Sequence, residues 1–588
     1  MQYKSLYKQM SLGVLLAMGL GSTSLAFAAQ VTDAIDPEAA SGLQEKQAVH
    51  ANHFMVAAAN PYAVEAGYQV LQAGGSAMDA MVAVQAMLGL VEPQSSGLGG
   101  GAFMLYYDAK RQHLTTFDGR ETAPMQARPE LFQNAQGQPL DFYEAVVGGR
   151  SVGTPGTVKL MAETHARFGK LAWSSLLQPA YQLAKTGFKV SPRLAAAIAR
   201  DQTRLSRYPE TRAYFLDEQG QAWPAGHILK NPQYAATLAT LAQQGAPAFY
   251  QGEIGRALVH KVRTLPDNPG VLSEADLANY QIQERPPTCA PYRSYQICGM
   301  GPPSSGALTV GQILGMVQHF DLATKSPQDV NAWQIIGEAS RLAFADRGRY
   351  MADTDYVPMP TGLLDKEYLR QRAALIQQGK ALPEVTPGEP KWQEAQAQAD
   401  DVSLELPSTS HLVIVDAEGN IVSMTTTIEN GFGSRVMSGG FLLNNELTDF
   451  SFITHQNGYP IANRLEPGKR PRSSMAPTLV MHQDQPYLAI GSPGGSRIIG
   501  YVAGALIKHL DWGLDIQEAI NQPHILNRFG TFDLEEGTEA EKLKPALEAM
   551  GYQVSIRDLN SGLHAIQFHE GKLIGAADPR REGIVMGD

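Results

Sequence analysis

Apolar positions along the chain fall in short runs bounded by turn formers, and the sharpest such pattern lies between residues 409 and 427. Leu412-Val413-Ile414-Val415 and Ile421-Val422-Ser423-Met424-Thr425-Thr426-Thr427 flank Asp416-Ala417-Glu418-Gly419-Asn420, two β-branched runs around a turn-forming loop, which is the pattern of a β-hairpin. If the five-residue loop pairs Val415 with Ile421, the register carried back along both strands sets Thr409 opposite Thr427. Directly opposed residues have Cβ atoms roughly 4.5 to 5.5 Å apart, which brings the two hydroxyls within hydrogen-bonding reach. Threonine is also a common strand residue for packing reasons alone, and the hairpin by itself leaves both readings open.

Elsewhere the patterning predicts a buried strand over 54–59 and a helix opened by Asn60-Pro61, with a capping side chain and a proline at its first position. Gly74-Gly75 stop that helix and Ser76 caps the next, whose Met78, Met81, Val82, Val84, Gln85 and Leu88 predict burial. The run Ser95-Ser96-Gly97-Leu98-Gly99-Gly100-Gly101-Ala102 precedes a strand over 103–107. A dinucleotide fingerprint needs the strand first and a helix after it, so a tight turn with close backbone approach is the better account. Gly149-Arg150-Ser151-Val152-Gly153 matches G-x-S-x-G, but Thr154-Pro155-Gly156 separates it from the following helix, and a structural loop is expected. Residues 157–260 are expected to be largely helical, with segments over 171–186, 192–200 and 233–245. Pro302-Pro303-Ser304-Ser305-Gly306 leads into a helix over 308–319. From 382 to 408 the chain turns to Pro, Glu, Gln, Asp and Ala, which predicts an exposed linker ending directly at Thr409.

Composition narrows the setting. Residues 1–28 carry Lys4 and Lys8, an apolar core over 12–20 and Ala26-Phe27-Ala28, the layout of a cleaved signal peptide, which predicts a periplasmic or secreted protein. No later run reaches the length of a membrane span, so no membrane association is expected once the signal is removed. A net charge of −11 without a basic cluster argues against nucleic acid and for small-molecule partners. Cys289 and Cys298 are the two cysteines; export permits a disulfide between them, worth roughly 2.5 to 3 kcal/mol in the chain-entropy model, and two buried thiols are the alternative. The scattered histidines form no zinc pattern, and neither a metal nor another cofactor is implied.

Four further motifs stand in order around the hairpin: Phe117-Asp118-Gly119-Arg120-Glu121, the stretch Leu443-Asn444-Asn445-Glu446-Leu447-Thr448-Asp449-Phe450-Ser451, Lys469-Arg470-Pro471-Arg472-Ser473-Ser474-Met475, and Gly491-Ser492-Pro493-Gly494-Gly495-Ser496. Together with the hairpin they resemble the γ-glutamyltransferases, or glutathione hydrolases, a family of N-terminal-nucleophile hydrolases, over nearly all of the chain past residue 28. The resemblance implies an α/β fold, a four-layer αββα sandwich formed jointly by two self-cleaved pieces, a large subunit of 29–408 and a small subunit of 409–588. Thr409 becomes the first residue of the small subunit, and its new α-amine, with an unperturbed pKa near 8, is the base its weakly nucleophilic hydroxyl needs. By the same resemblance, Thr427 is expected to orient that hydroxyl and Gly494 and Gly495 to form the oxyanion hole. The resemblance likewise implies that Arg120, Ser473 and Ser474 hold a substrate carboxylate, and Glu446 and Asp449 its ammonium.

The implied activity is transfer of a γ-glutamyl group from a glutathione-like donor to water or to an amino-acid or peptide acceptor. Two rivals stand beside it: an acylase for glutaryl or cephalosporin-type amides on the same fold, and a non-catalytic periplasmic binding protein. The chain departs from the family twice. Many members carry Thr-x-Asn where this chain has Thr427-Ile428-Glu429, which adds a carboxylate to the predicted ammonium site, and the stretch between Asp449 and Ser473 is shorter than in members with a long active-site lid.

Overall fold

Val415 pairs with Ile421 in the computed structural model, and the antiparallel register runs back to Ser410 opposite Thr426, as the hairpin pattern predicts. The structure describes residues 40–392, 396–401, 403 and 405–588; the expected signal segment 1–28 lies outside the described residues. The Asp416 carboxylate holds the hairpin loop by accepting from the backbone N–H groups of Glu418 and Asn420, both at 3.0 Å. It also accepts from the N–H of Ala77 at 2.9 Å, which ties the loop to the start of the helix Ala77–Val91. Gly419, at φ +83°, takes the left-handed conformation that closes the turn.

The hairpin strands Ser410–Val415 and Ile421–Thr427 lie inside a seven-stranded antiparallel sheet. Met55–Ala58 and Ile584–Gly587 flank them on one side; Gly101–Asp108, His113–Gly119 and Gln283–Arg285 flank them on the other. A second seven-stranded antiparallel sheet has Gln485–Gly491 at its centre, between Thr478–His482 and His564–His569. Alternate residues of the first sheet enter different cores. Leu412, Ile414, Val422 and Met424 pack with the helices Pro61–Gln72 and Ala77–Val91. Val413, Val415, Ile421 and Phe103 pack toward the second sheet, which is covered in turn by the helices Gly306–Val317, Val330–Tyr350 and Ile498–Leu510. Helix, sheet, sheet and helix layers result, the αββα sandwich expected. Burial on both faces is why Leu412–Val415 are apolar in an unbroken run rather than in alternation.

Local expectations are met where capping and turn chemistry dictate them. Asn60 accepts from the N–H of Tyr62, and Ser76 and Asp79 form a reciprocal capping box. Segments Trp173–Thr186, Pro192–Leu205 and Pro232–Gln244 are helical. The G-x-S-x-G match is a short turn, Gly149–Ser151, in which the Ser151 hydroxyl donates to the Val146 carbonyl at 2.6 Å. Cys289 and Cys298 are joined by a disulfide across the neighbouring strands Thr288–Tyr292 and Tyr295–Gly299, which decides between the two alternatives. No helix among the described residues is long and apolar enough to cross a membrane.

The segment 382–408, expected to be an exposed linker, is exposed only in part. Gln398, Ala399, Asp401, Glu405 and Ser408 are buried. Its acids meet interior cations: Asp401 pairs with Arg472 at 2.9 Å and Glu405 with Arg347 at 2.5 Å. Composition alone reported a solvated stretch because the arginines that bind it lie far away in sequence.

The glycine run brings backbone against backbone. A Cβ on Gly100 would sit 2.0 Å from the Thr427 carbonyl oxygen and 2.8 Å from an Ile428 methyl. Gly100→Ala is therefore expected to destabilise the protein by about 1 to 3 kcal/mol through overpacking. A thermal unfolding scan should show a lower midpoint than wild type, and an unchanged midpoint would mean the run is not tightly packed.

Candidate active site

Strand pairing ends at the two threonines singled out from the sequence. The Thr409 hydroxyl lies 2.5 Å from the carbonyl oxygen of Ser408 and 3.5 Å from the Thr427 hydroxyl. Thr427 donates to that same Ser408 carbonyl at 2.9 Å and accepts from the N–H of Glu429 at 2.9 Å. Both hydroxyls thus converge on the one peptide bond at which the chain is expected to be cut. Arg581, buried and 172 positions away, donates to the Thr409 carbonyl at 3.3 Å, a contact that no local sequence signal announces.

One cavity of about 20 Å³, the space of a single water, joins Thr409 to the rest of the predicted site. Arg120, Thr427, Glu429, Glu446, Asp449, Ser473, Ser474 and Gly495 all border it; Gly494 is the one predicted residue that does not. Gly494 and Gly495 have φ of +135° and +60°, conformations that glycine permits, in the turn between the strand Gln485–Gly491 and the helix Ile498–Leu510.

The charged groups are paired with one another. Arg120, expected to offer its fork to a substrate, is bonded to Glu446 and, at 2.5 Å, to Asp449, and also donates to the carbonyls of Pro471 and Arg472. A buried guanidinium takes the nearest carboxylates, and here these are the two acids expected to hold an ammonium. Glu429 is bonded to Asn445 through one oxygen, while its other oxygen is buried without a hydrogen-bond partner among the described residues. Its φ of +77° is a left-handed conformation that a glutamate rarely adopts.

Burial first, then Asp449 and Glu446, raises the Glu429 pKa well above the ordinary carboxylate range. Burial likewise pushes Asp449 up to about 8, against the pull of Arg120. Burial, with Glu446 beside it, also raises Glu121. Several interior carboxylates therefore share one guanidinium, and burial disfavours their ionised forms.

Sequence reasoning overlooked two participants. Glu121 belonged to a recognised motif without a role. Glu405 lay in the stretch expected to be linker, yet it borders the cavity, accepts from Ser474 at 2.5 Å and pairs with Arg347 and Arg472. Burial opposes its ionisation, but those two arginines more than offset it and hold its pKa at about 2. In the continuous chain Ser474 is thus committed to Glu405. Among the described residues, no group of three or more His, Cys, Asp or Glu is arranged to hold a metal ion.

The sequence model of the gamma-glutamyltranspeptidase family matches residues 63–588. The glutathione hydrolase proenzyme of Bacillus subtilis (strain 168) is 36% identical over 549 residues, 91% of each chain. The acylase ACY 1 proenzyme of Pseudomonas sp. (strain SE83) is 34% identical over 558 residues, 93% of this chain and 96% of that one. The crystal structure of a cephalosporin acylase from Bacillus halodurans superposes with a TM-score of 0.82 at 27% identity, covering 94% of this chain and 99% of that one. These relatives are enzymes by name, which leaves the binding-protein alternative without support. Because the family match runs from the helix Pro61–Gln72 to the last residue and takes in the hairpin and most strands of both sheets, the chain belongs to the γ-glutamyltranspeptidase family and is an enzyme of the N-terminal-nucleophile hydrolase fold.

Proposed function

We propose that this protein cleaves itself between Ser408 and Thr409 and then cleaves γ-glutamyl amides through an ester on Thr409, passing the γ-glutamyl group to water or an amine. The observation that carries the reading is the convergence of the Thr409 and Thr427 hydroxyls on the Ser408 carbonyl. In the first step the Thr409 oxygen attacks the Ser408 carbonyl carbon, with Thr427 donating to the oxygen on which negative charge grows. The C–N bond breaks, the hydroxyl proton passes to the departing nitrogen, and Ser408 is left as an ester on Thr409. Water then hydrolyses that ester, giving Ser408 a carboxylate and Thr409 a free hydroxyl and a free α-amine.

In turnover the α-amine takes the hydroxyl proton as Thr409 attacks the γ-amide, and returns it to the leaving nitrogen. Gly494 and Gly495 stabilise the oxyanion. Water or an acceptor amine attacks the resulting ester by the reverse of the same steps.

The charge of the pocket favours an amino acid as the donor's end. A substrate ammonium among Glu429, Glu446 and Asp449 replaces Arg120 as their counter-ion and frees its fork for the α-carboxylate beside Ser473 and Ser474. The relatives named as acylases support a second reading, cleavage of glutaryl amides, but such a donor lacks the cation and leaves the acids unpaired. Discrimination against it of roughly 2 to 5 kcal/mol is expected.

Thr409→Ala should remain a single chain by mass spectrometry; a mutant that still splits after Ser408 would falsify the self-processing step. Thr427→Val keeps a β-branched strand residue but removes the donor, so processing and turnover should slow by an amount equivalent to roughly 1 to 3 kcal/mol. Full activity in that variant would remove Thr427 from the mechanism.

Matched γ-glutamyl and glutaryl p-nitroanilides compared by kcat/KM test the donor: equal rates favour the acylase reading. Glu429→Asn should narrow the preference for the γ-glutamyl compound. The same substitution tests the charge in the absence of substrate. A carboxyl group whose pKa is raised on folding contributes stability that is present below its unfolded value and is lost as pH rises through the folded value. Wild type should therefore lose thermal stability relative to Glu429→Asn as pH rises from about 5 to 8. A difference in midpoint that does not change with pH would mean that Glu429 is ionised throughout.

A further inference from the structure

Gly494 and Gly495 have no side chain by which the fold could fix them, yet a donor stabilises an oxyanion only when its peptide plane is held in advance. A peptide unit is planar and trans, so its N–H points away from its carbonyl, and a hydrogen bond to the carbonyl sets both. The Gly494 N–H shares its plane with the Pro493 carbonyl, and the Gly495 N–H with the Gly494 carbonyl. Both carbonyls are held. The buried Ser492 hydroxyl donates to the Pro493 carbonyl at 2.8 Å. The Arg497 N–H donates to the Gly494 carbonyl at 3.3 Å. Tyr501 closes the turn from one side: a Cβ on Gly494 would lie 2.8 Å from its ring.

The second of these bonds depends on where Arg497 sits, and a hairpin further along the chain decides that. The strands Ile525–Asn527 and Thr531–Glu535 pair antiparallel, and Arg528 opens the loop between them. Asp533, on the second strand, accepts from the Arg497 side chain at 2.9 and 3.1 Å. Arg528 donates to the Ser496 hydroxyl at 2.7 Å and lies 3.7 Å from the same Asp533 carboxylate. Ser496, Arg497, Arg528 and Asp533 are all buried. Charge-assisted bonds out of water hold their geometry tightly, because the alternative is an unpaired buried charge.

We propose that Ser492 and Arg528 are positioning residues for the Gly494-Gly495 turn. Ser492 sets the plane that carries the Gly494 N–H; Arg528, through Ser496 and Arg497, sets the plane that carries the Gly495 N–H. Neither residue borders the Thr409 cavity, whereas Gly495 does. The inference rests on the oxyanion role given to the two glycines above. Formation and breakdown of the Thr409 ester both pass through an oxyanion, so a loosened turn slows both steps in proportion and lowers kcat without changing KM.

The test compares Ser492→Ala, Arg528→Met and Arg528→Lys with wild type, all processed, on γ-glutamyl p-nitroanilide. Two inhibitors are measured beside it: glutamate, and the glutamate analogue whose γ-carboxyl is replaced by a boronic acid, which forms a tetrahedral adduct with a hydroxyl. In Ser492→Ala and Arg528→Met, kcat should fall about tenfold with KM within about twofold, and Arg528→Lys, which can still donate to Ser496, should recover part of the loss. The boronic acid should bind more weakly by the same factor as kcat falls, and glutamate should not. A fold that is merely less stable lowers the amount of active enzyme but leaves both affinities unchanged, so their ratio separates positioning from stability. Should Arg528→Met fail to fold, Ser496→Ala, which removes only the acceptor, takes its place. An unchanged kcat, or an affinity ratio that stays at the wild-type value, overturns the role of the residue replaced. A wild type that binds the boronic acid no more tightly than glutamate overturns the oxyanion reading, and this inference with it. If wild type cleaves only glutaryl p-nitroanilide, the donor reading has failed instead, and the same comparison with that substrate and the boronic acid analogue of glutarate still decides the turn.

Discussion

The site depends on one register. Pairing Val415 with Ile421 places the hairpin so that Thr409 and Thr427 meet at the end of the ladder, and both hydroxyls reach the Ser408 carbonyl. A slip of one residue would move the buried set of side chains to the opposite face. Because one face of the hairpin packs on helices and the other on the second sheet, such a slip would disturb both cores at once. The geometry of a two-atom contact is therefore secured by many apolar contacts, none of which takes part in chemistry. Asp416, which ties the loop to the helix Ala77–Val91, anchors the far end of the same ladder.

Electrostatics shapes the space around that point. On the Arg120 side, Glu121, Glu429, Glu446 and Asp449 are buried around Arg120, and burial raises their pKa values because one guanidinium cannot compensate for them all. Burial disfavours the ionised form of each acid, and a positive charge placed among them would favour it. Glu429 belongs to this logic twice: it adds a carboxylate, and it does so in a left-handed backbone conformation that asparagine adopts more readily than glutamate.

The continuous chain is also its own obstruction. Glu405 occupies Ser474 and two arginines, and the residues up to Ser408 leave about 20 Å³ beside Thr409. An amino acid needs more space than this, so the proposed turnover requires the segment before Thr409 to move. The charged tail explains how the obstruction is held: its acids are satisfied by Arg347 and Arg472, cations on other elements of the fold.

The sequence by itself determined the elements and the hairpin register, because β-branched runs, a loop of known length, Asn60 and Ser76 caps and glycine punctuation are local signals. It also named most of the residues that border the Thr409 cavity, since the motifs carrying them are short and contiguous. What it did not determine was which charges pair. Composition made 382–408 a solvated linker, whereas the fold brings Asp401 and Glu405 to buried arginines. The family resemblance made Arg120 free for a substrate, whereas the fold places Glu446 and Asp449 against it. It left Cys289 and Cys298 undecided until two strands were seen to lie side by side. The support behind the Gly494-Gly495 turn had no signal in sequence, for Ser496 and Arg497 meet Arg528 and Asp533 of a separate hairpin. Local propensity acts between neighbours along the chain, whereas these ion pairs and cavities form between residues tens to hundreds of positions apart, and only tertiary packing brings those together.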